Sequence, residues 1–247
     1  MKLAKWLMAT ASALLVCACS KGPLAYVEEN ADKVIYFNTT AEMNENTIAL
    51  IKQKGNLPEY SYFENGKFLG VDMFENKAEM AFWSTPLGGS KGAIVLEDVS
   101  AEDFIKKCAE SWEEGNKSKT TSDITVDGNK GKKFENEIGK KAKTELTLVA
   151  ASKDTVLVYF GDKEVKKLLK ASNANKVAEA IDTDAIWAVA KSGEPVNEKQ
   201  NKTKKNGSFD EDGDPYQVLT VGNSVKMLLL DGDELKNVNL QDISDID

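Results

Sequence analysis

Histidine and arginine are both absent from this chain of 247 residues, so all 32 of its basic side chains are lysines. Without histidine, the side chain that most readily exchanges protons near neutral pH is missing, and so is the commonest metal ligand. Without arginine there is no bidentate clamp for phosphate or carboxylate. These gaps argue against most hydrolase, transferase and nucleic-acid functions, and leave a site built on lysine, aspartate or glutamate possible. An AT-rich genome, which favours lysine codons, accounts for the lysine-only alphabet as readily as function does. The net charge of −8 repels nucleic acid and anionic lipid headgroups alike, so no nucleic acid is expected as a partner. Cysteine is scarce: of three, Cys17 and Cys19 lie near the N-terminus and Cys108 stands alone, which leaves little material for disulfide staples. At this length one generous domain or two small ones can form a core without such staples.

What is present is a recurring arrangement of strands and helices. The stretch over 144–170, TELTLVAASKDTVLVYFGDKEVKKLLK, predicts a strand, a tight turn at Ser152-Lys153-Asp154, a second strand and an amphipathic helix capped by Asp162. About 60 residues upstream, AEMAFWSTPLGGSKGAIVLEDVSAEDFIKKCAESW repeats that order, with Ser100 as the cap of its helix and Glu102 and Asp103 in the first turn. Ile105 and Cys108 then match Val165 and Leu168, and both pairs are expected to face the sheet. Glu64-Asn65-Gly66, Asp127-Gly128-Asn129 and Gly222-Asn223 predict further hairpins. The expected fold class is α+β: an antiparallel sheet of repeated hairpin-plus-helix units, over about 60–114 and 119–172, with helices on one face. A short helix over 24–31, a buried strand at Val34-Ile35-Tyr36-Phe37, a helix over 41–54 and a short helix over 176–181 are expected around these units. Residues 191–206 read as a solvated loop and 233–247 as an acidic, fraying tail, which bounds the folded domain at 24–232.

The N-terminus has a different character. Lys2 and Lys5 precede an apolar run from Trp6 to Val16 that is too short for a comfortable permanent span and fits a secretory signal over residues 1–18. Val16-Cys17-Ala18-Cys19 resembles the lipobox of bacterial lipoproteins, although Cys17 departs from the usual small residue at its place. The resemblance implies that Cys19 becomes the acylated first residue of the mature protein, tethered through 19–23, and that removal of the leader takes the net charge to −10. It also implies a cell-envelope location with a membrane partner reached through the lipid anchor. Ser20, rather than aspartate, after Cys19 leans toward the outer membrane where the enterobacterial sorting rule applies. The following AYVEENADKVIYFNTTAEM resembles the opening of uncharacterised envelope lipoproteins over about 30 residues, with no catalytic motif.

Few constellations point to chemistry. The acidic run 210–214 lacks the closing carboxylate and the spacing of a calcium loop, and reads as a solvated turn. Cys108 shares a helical stripe with Phe104, Ile105, Ala109 and Trp112 and reads as a core thiol with no base to activate it. No catalytic residue, metal site or cofactor is expected. The functional expectation is a non-catalytic, lipid-anchored envelope protein, a binding or structural module for a protein or envelope component. The alternative is a carrier of a hydrophobic ligand in a cleft between sheet and helices.

Overall fold

The computed structural model describes residues 22–43, 45, 48, 63–86, 89–114, 118–138, 142–161, 165–172, 175–179, 181, 183–192, 208–209, 215–221, 227–231 and 234–238. After a 3-10 turn at Pro23–Tyr26, the buried run of aliphatic and aromatic residues forms β1 (Lys33–Asn38). Three two-residue strands follow, β2 (Phe63–Glu64), β3 (Lys67–Phe68) and β4 (Val71–Asp72), and make a small sheet of their own. Next come β5 (Ala78–Ser84), β6 (Ser90–Leu96) and the helix α1 (Ala101–Glu113). Four long strands succeed it: β7 (Lys119–Val126), β8 (Asn129–Ile138), β9 (Ala142–Ala150) and β10 (Thr155–Phe160). The short helix α2 (Lys176–Glu179) leads to β11 (Trp187–Ser192), and the described chain finishes with β12 (Ser208–Phe209), β13 (Pro215–Val221), β14 (Met227–Asp231) and β15 (Glu234–Val238).

These strands build one large antiparallel sheet of twelve strands in the order β15-β14-β13-β11-β1-β5-β6-β10-β9-β8-β7, with β12 beside β13. Its tight turns obey their local chemistry. Asn65-Gly66 and Asp127-Gly128 both have two successive positive φ angles, the type I′ geometry that the strand twist favours. At Ser152-Lys153-Asp154 the Ser152 hydroxyl accepts from the amides of Asp154 and Thr155, which reverses the chain between β9 and β10.

The central strands read as nearly continuous apolar runs because both faces of the sheet are covered, even though the strands are antiparallel. One face carries Ile35, Phe37, Met80, Phe82, Ile94, Leu146, Leu148 and Val156, packed under α1 and the small sheet. From α1 the buried residues Phe104, Ile105, Cys108, Ala109 and Trp112 descend onto it at helical spacing. Phe68 of β3 stacks between Phe82 and Phe104, with ring centroids 6.0 and 6.3 Å away. The opposite face carries Val34, Tyr36, Trp83, Leu157 and Tyr159, covered by Val27, Ala31, Val177, Ile181 and Ala185. Asn175 ties this second cover together. Its side-chain amide donates to the carbonyls of Glu28, Glu29 and Ala31, and its carbonyl oxygen accepts from the Ala178 amide.

This arrangement overturns the expected α+β fold of repeated hairpin-plus-helix units with helices on one face. The architecture is a mostly antiparallel β-sheet covered on both sides, and among the described residues only the first unit has its helix. Residues 165–172, where the second helix was expected, have no regular secondary structure. They lie on the face opposite α1, where Val165, Leu168 and Leu169 are half-buried. Their amides have found distant partners in place of a helical ladder: Leu168 donates to the Asp127 carboxylate at 2.9 Å, Leu169 to the Tyr159 hydroxyl at 3.0 Å, and Ser172 to the Ala25 carbonyl at 2.6 Å. Tertiary hydrogen bonds have overridden a periodic pattern of marginal length.

Smaller expectations are resolved in both directions. The helix expected over 24–31 is reduced to the 3-10 turn, and α2 stands where a short helix was expected. Of the helix expected over 41–54, only Glu45 and Ile48 are described as helical, while 41–43 are not. Lys191 and Ser192 belong to β11 rather than to a loop, and the remainder of the expected loop, 193–206, lies outside the described residues, as does Gly222-Asn223. Glu234–Val238 pairs with β14 as a final strand inside the segment expected to fray.

Candidate functional site

Three segments distant in sequence meet at one end of the large sheet. They are the N-terminus of α1, the turn between β7 and β8, and the turn between β9 and β10. Together they line an open groove with a volume of about 510 Å³, walled by Ser100, Asp103, Asn129, Lys130, Ser152 and Lys153 among others. Backbone bonds hold the segments in place: the Ala101 amide donates to the Lys153 carbonyl and the Leu96 amide to the Asp154 carbonyl, both at 2.8 Å.

The groove is polar and already internally paired. Ser100 accepts from the Asp103 amide at 3.1 Å and donates to the Asp103 carboxylate at 2.6 Å, closing the first turn of α1. Lys130 forms an ion pair with Glu102 at 3.1 Å, both side chains being largely exposed. An exposed pair of this kind contributes about 0–1 kcal/mol and can be given up to a ligand. The acidic first turn of α1 disfavours a bound anion there. The groove therefore offers alternating lysines, carboxylates, hydroxyls and amides to a polar partner of mixed charge.

Asp154, next to the lining residue Lys153, is held below the ordinary carboxylate range, first by the hydroxyl of Ser152 and then by that of Thr155. A depressed folded-state value means that the unfolded chain binds more protons in acid. The stabilisation is complete above the unfolded value near ~4 and is lost as pH falls through the lower folded value. Between pH 5 and pH 3 the urea midpoint of Asp154→Asn should accordingly fall less than that of the parent protein. An identical fall in both would exclude Asp154 from the acid response.

Several other buried and half-buried polar groups are engaged in structural bonds. Tyr36 donates from its hydroxyl to Glu79 at 3.1 Å, and burial, assisted by that carboxylate, pushes the phenol far above its usual value. Glu28 accepts from the Trp83 indole at 3.1 Å and from Lys91 at 2.7 Å. Lys133 bridges Glu135 and Glu145 at 3.0 and 3.2 Å. Cys108 lies fully buried under α1, and desolvation raises its thiol well beyond the reactive range, in line with the core role read from its stripe. The buried indole N–H of Trp187 has no hydrogen-bond partner among the described residues.

The groove was not visible in any one stretch of sequence, because its three walls are separated by tens of residues. Turn chemistry at Asp127-Gly128-Asn129 and Ser152-Lys153-Asp154, and the cap at Ser100, marked each wall singly; only the pairing of β10 with β6 and of β9 with β8 places them side by side. Cys19 and the acidic run 210–214 lie outside the described residues. Among the described residues, no three histidine, cysteine, aspartate or glutamate side chains are placed to hold a metal ion, and no helix is long and apolar enough to cross a membrane. No family model matches the chain, and neither a curated protein nor a solved structure matches it significantly.

Proposed function

We propose that this chain is a non-catalytic, lipid-anchored cell-envelope protein, acylated at Cys19, that serves as a binding or structural module for a polar envelope component or protein. The observation that carries the reading is Val16-Cys17-Ala18-Cys19 behind a basic start and a short apolar run. Acyl chains worth ~0.8 kcal/mol per buried methylene would hold it on a membrane essentially permanently. The outer membrane is the favoured location in a Gram-negative cell, given Ser20. Two features of the folded part support a binding role. The Tyr36 hydroxyl and the half-buried carboxylates of Glu28, Glu79, Glu135 and Glu145 are engaged in bonds within the fold, Cys108 is packed in the core, and the exposed groove presents polar groups of both signs. The alternative of a hydrophobic-ligand carrier draws no support from the layer between α1 and the sheet, which Phe68, Phe82, Phe104 and Phe134 fill with fully buried rings.

Fractionation of cells expressing the full chain tests the anchor. Cys19→Ala should move the protein from the membrane fraction to the periplasm or medium, or leave it as an uncleaved precursor. The parent protein should carry the mass of a diacylglyceryl group on its first residue. A Cys19→Ala protein that is still processed and still partitions with lipid would refute the anchor.

A further inference from the structure

We infer that the end of the sheet bearing the groove is the membrane-facing end of the molecule, set against the headgroup layer of the bilayer that holds its acyl chains. The inference rests on the lipid-anchor reading and adds to it an orientation that the fold dictates. Gly22 is where the described chain begins, and Pro23 immediately after it is buried. A Cβ on Gly22 would lie 3.4 Å from the carboxylate of Glu79. Glu79 stands opposite Asn38 and Val95, and Val95 stands opposite Thr155. This row crosses the sheet at the end where β9 passes into β10 and where Ser152 and Lys153 line the groove.

From Gly22 the chain runs toward the other end. Glu28 reaches Trp83 and Lys91, and the Asp32 amide donates to the Ser84 carbonyl. The chain thus enters at the groove end and reaches the far end only by Asn30. Cys19 is three residues before Gly22. Three fully extended residues span about 10 Å, whereas the strands between the two ends are about 20 Å long. The far end cannot be the one held at the lipid without stripping Pro23 and Val27 from the core.

Charge does not supply this orientation. At the groove end the exposed acids Glu97, Asp98, Asp103 and Asp127 outweigh Lys77 and Lys153, while Lys130 is paired with Glu102. Anionic lipid would therefore repel this end, and the tether length alone imposes the proximity. The groove therefore lies at the end of the sheet nearer the headgroup layer.

Single cysteines can report the orientation, because Cys108 is fully buried, Cys19 would be acylated and Cys17 would leave with the leader. Full-length acylated protein carrying a fluorophore at Lys153→Cys or Lys130→Cys, or at the far end at Asn30→Cys or Pro86→Cys, would be reconstituted into phosphatidylcholine vesicles. A fraction of the lipid would carry a nitroxide on the headgroup. Quenching at 153 and 130 should exceed that at 30 and 86 at least threefold. Inserting about 20 glycine and serine residues before Gly22, a coil of about 25 Å, should bring the ratio close to one. Equal or reversed quenching in floated, acylated protein would overturn the orientation and leave the anchor standing. A threefold ratio that survives the long linker would overturn the tether as its cause. Protein without the acyl mass that fails to float with vesicles would overturn the anchor, and the orientation with it.

Discussion

Phe104→Ala is expected to lower the unfolding free energy by about 3–5 kcal/mol, measured by urea denaturation of the purified protein. Phe104 is fully buried, on the face of α1 that meets the sheet. Its ring stacks on Phe68, which in turn stacks on Phe82, so one side chain joins the helix, the small sheet and the large sheet. Truncation removes the burial of a large apolar surface and opens a cavity that three separate elements would have to collapse to fill. Leu168→Ala provides the contrast. Under a repeated helix it would remove a core side chain equivalent to Cys108, but here it removes a half-buried contact on the opposite face, worth about 1–2 kcal/mol. A Leu168→Ala loss as large as that of Phe104→Ala would argue for the helical arrangement over 162–171 and against the irregular segment.

The difference between those two residues shows what the sequence made legible. Where structure is set locally, the reading succeeds. Ser100 caps α1 by accepting from the Asp103 amide, Asn65-Gly66 and Asp127-Gly128 turn as type I′, and Thr155–Phe160 forms a buried strand. The failed helix had a valid pattern, since Val165, Leu168 and Leu169 sit at helical spacing. Three apolar side chains at that spacing serve equally well to lay an irregular segment on a sheet, and the decision fell to the Asp127 carboxylate and the Tyr159 hydroxyl. Neither partner lies within the segment itself. Likewise the alternation that would reveal a sheet covered on one side is absent from β10, where 156, 157, 158 and 159 are all buried. A continuous run tells of burial on both faces only once the covers are known. The acidic composition after 233 pointed to fraying, whereas backbone pairing with β14 places a strand there. The groove is the extreme case, because its existence depends on strand order, which no local window contains.

Gly131→Ala should cost about 3 kcal/mol, at the upper end of what overpacking usually costs, through a contact that cannot relax by rotating a side chain. Gly131 in β8 stands opposite Val149 in β9. A Cβ there would press inside van der Waals contact of the Leu148 carbonyl oxygen and come within 3.1 Å of the Val149 Cα. Both obstacles are backbone, so β8 must move away from β9, and the ladder beyond it, which ends in β7, must move too. Gly128 in the adjoining turn is the control. Its φ of 81° lies in the left-handed region that asparagine tolerates, and a Cβ there meets nothing within 4 Å. Gly128→Asn should therefore change stability by less than about 1 kcal/mol. Hydrogen exchange gives the second readout: in Gly131→Ala, protection should fall in β7 and β8 while the amides of β1 and β5 keep theirs, since those strands are separated from the disturbance by β9, β10 and β6. Equal stability of the Gly131→Ala and Gly128→Asn proteins would mean that β8 and β9 do not approach as closely as their register requires.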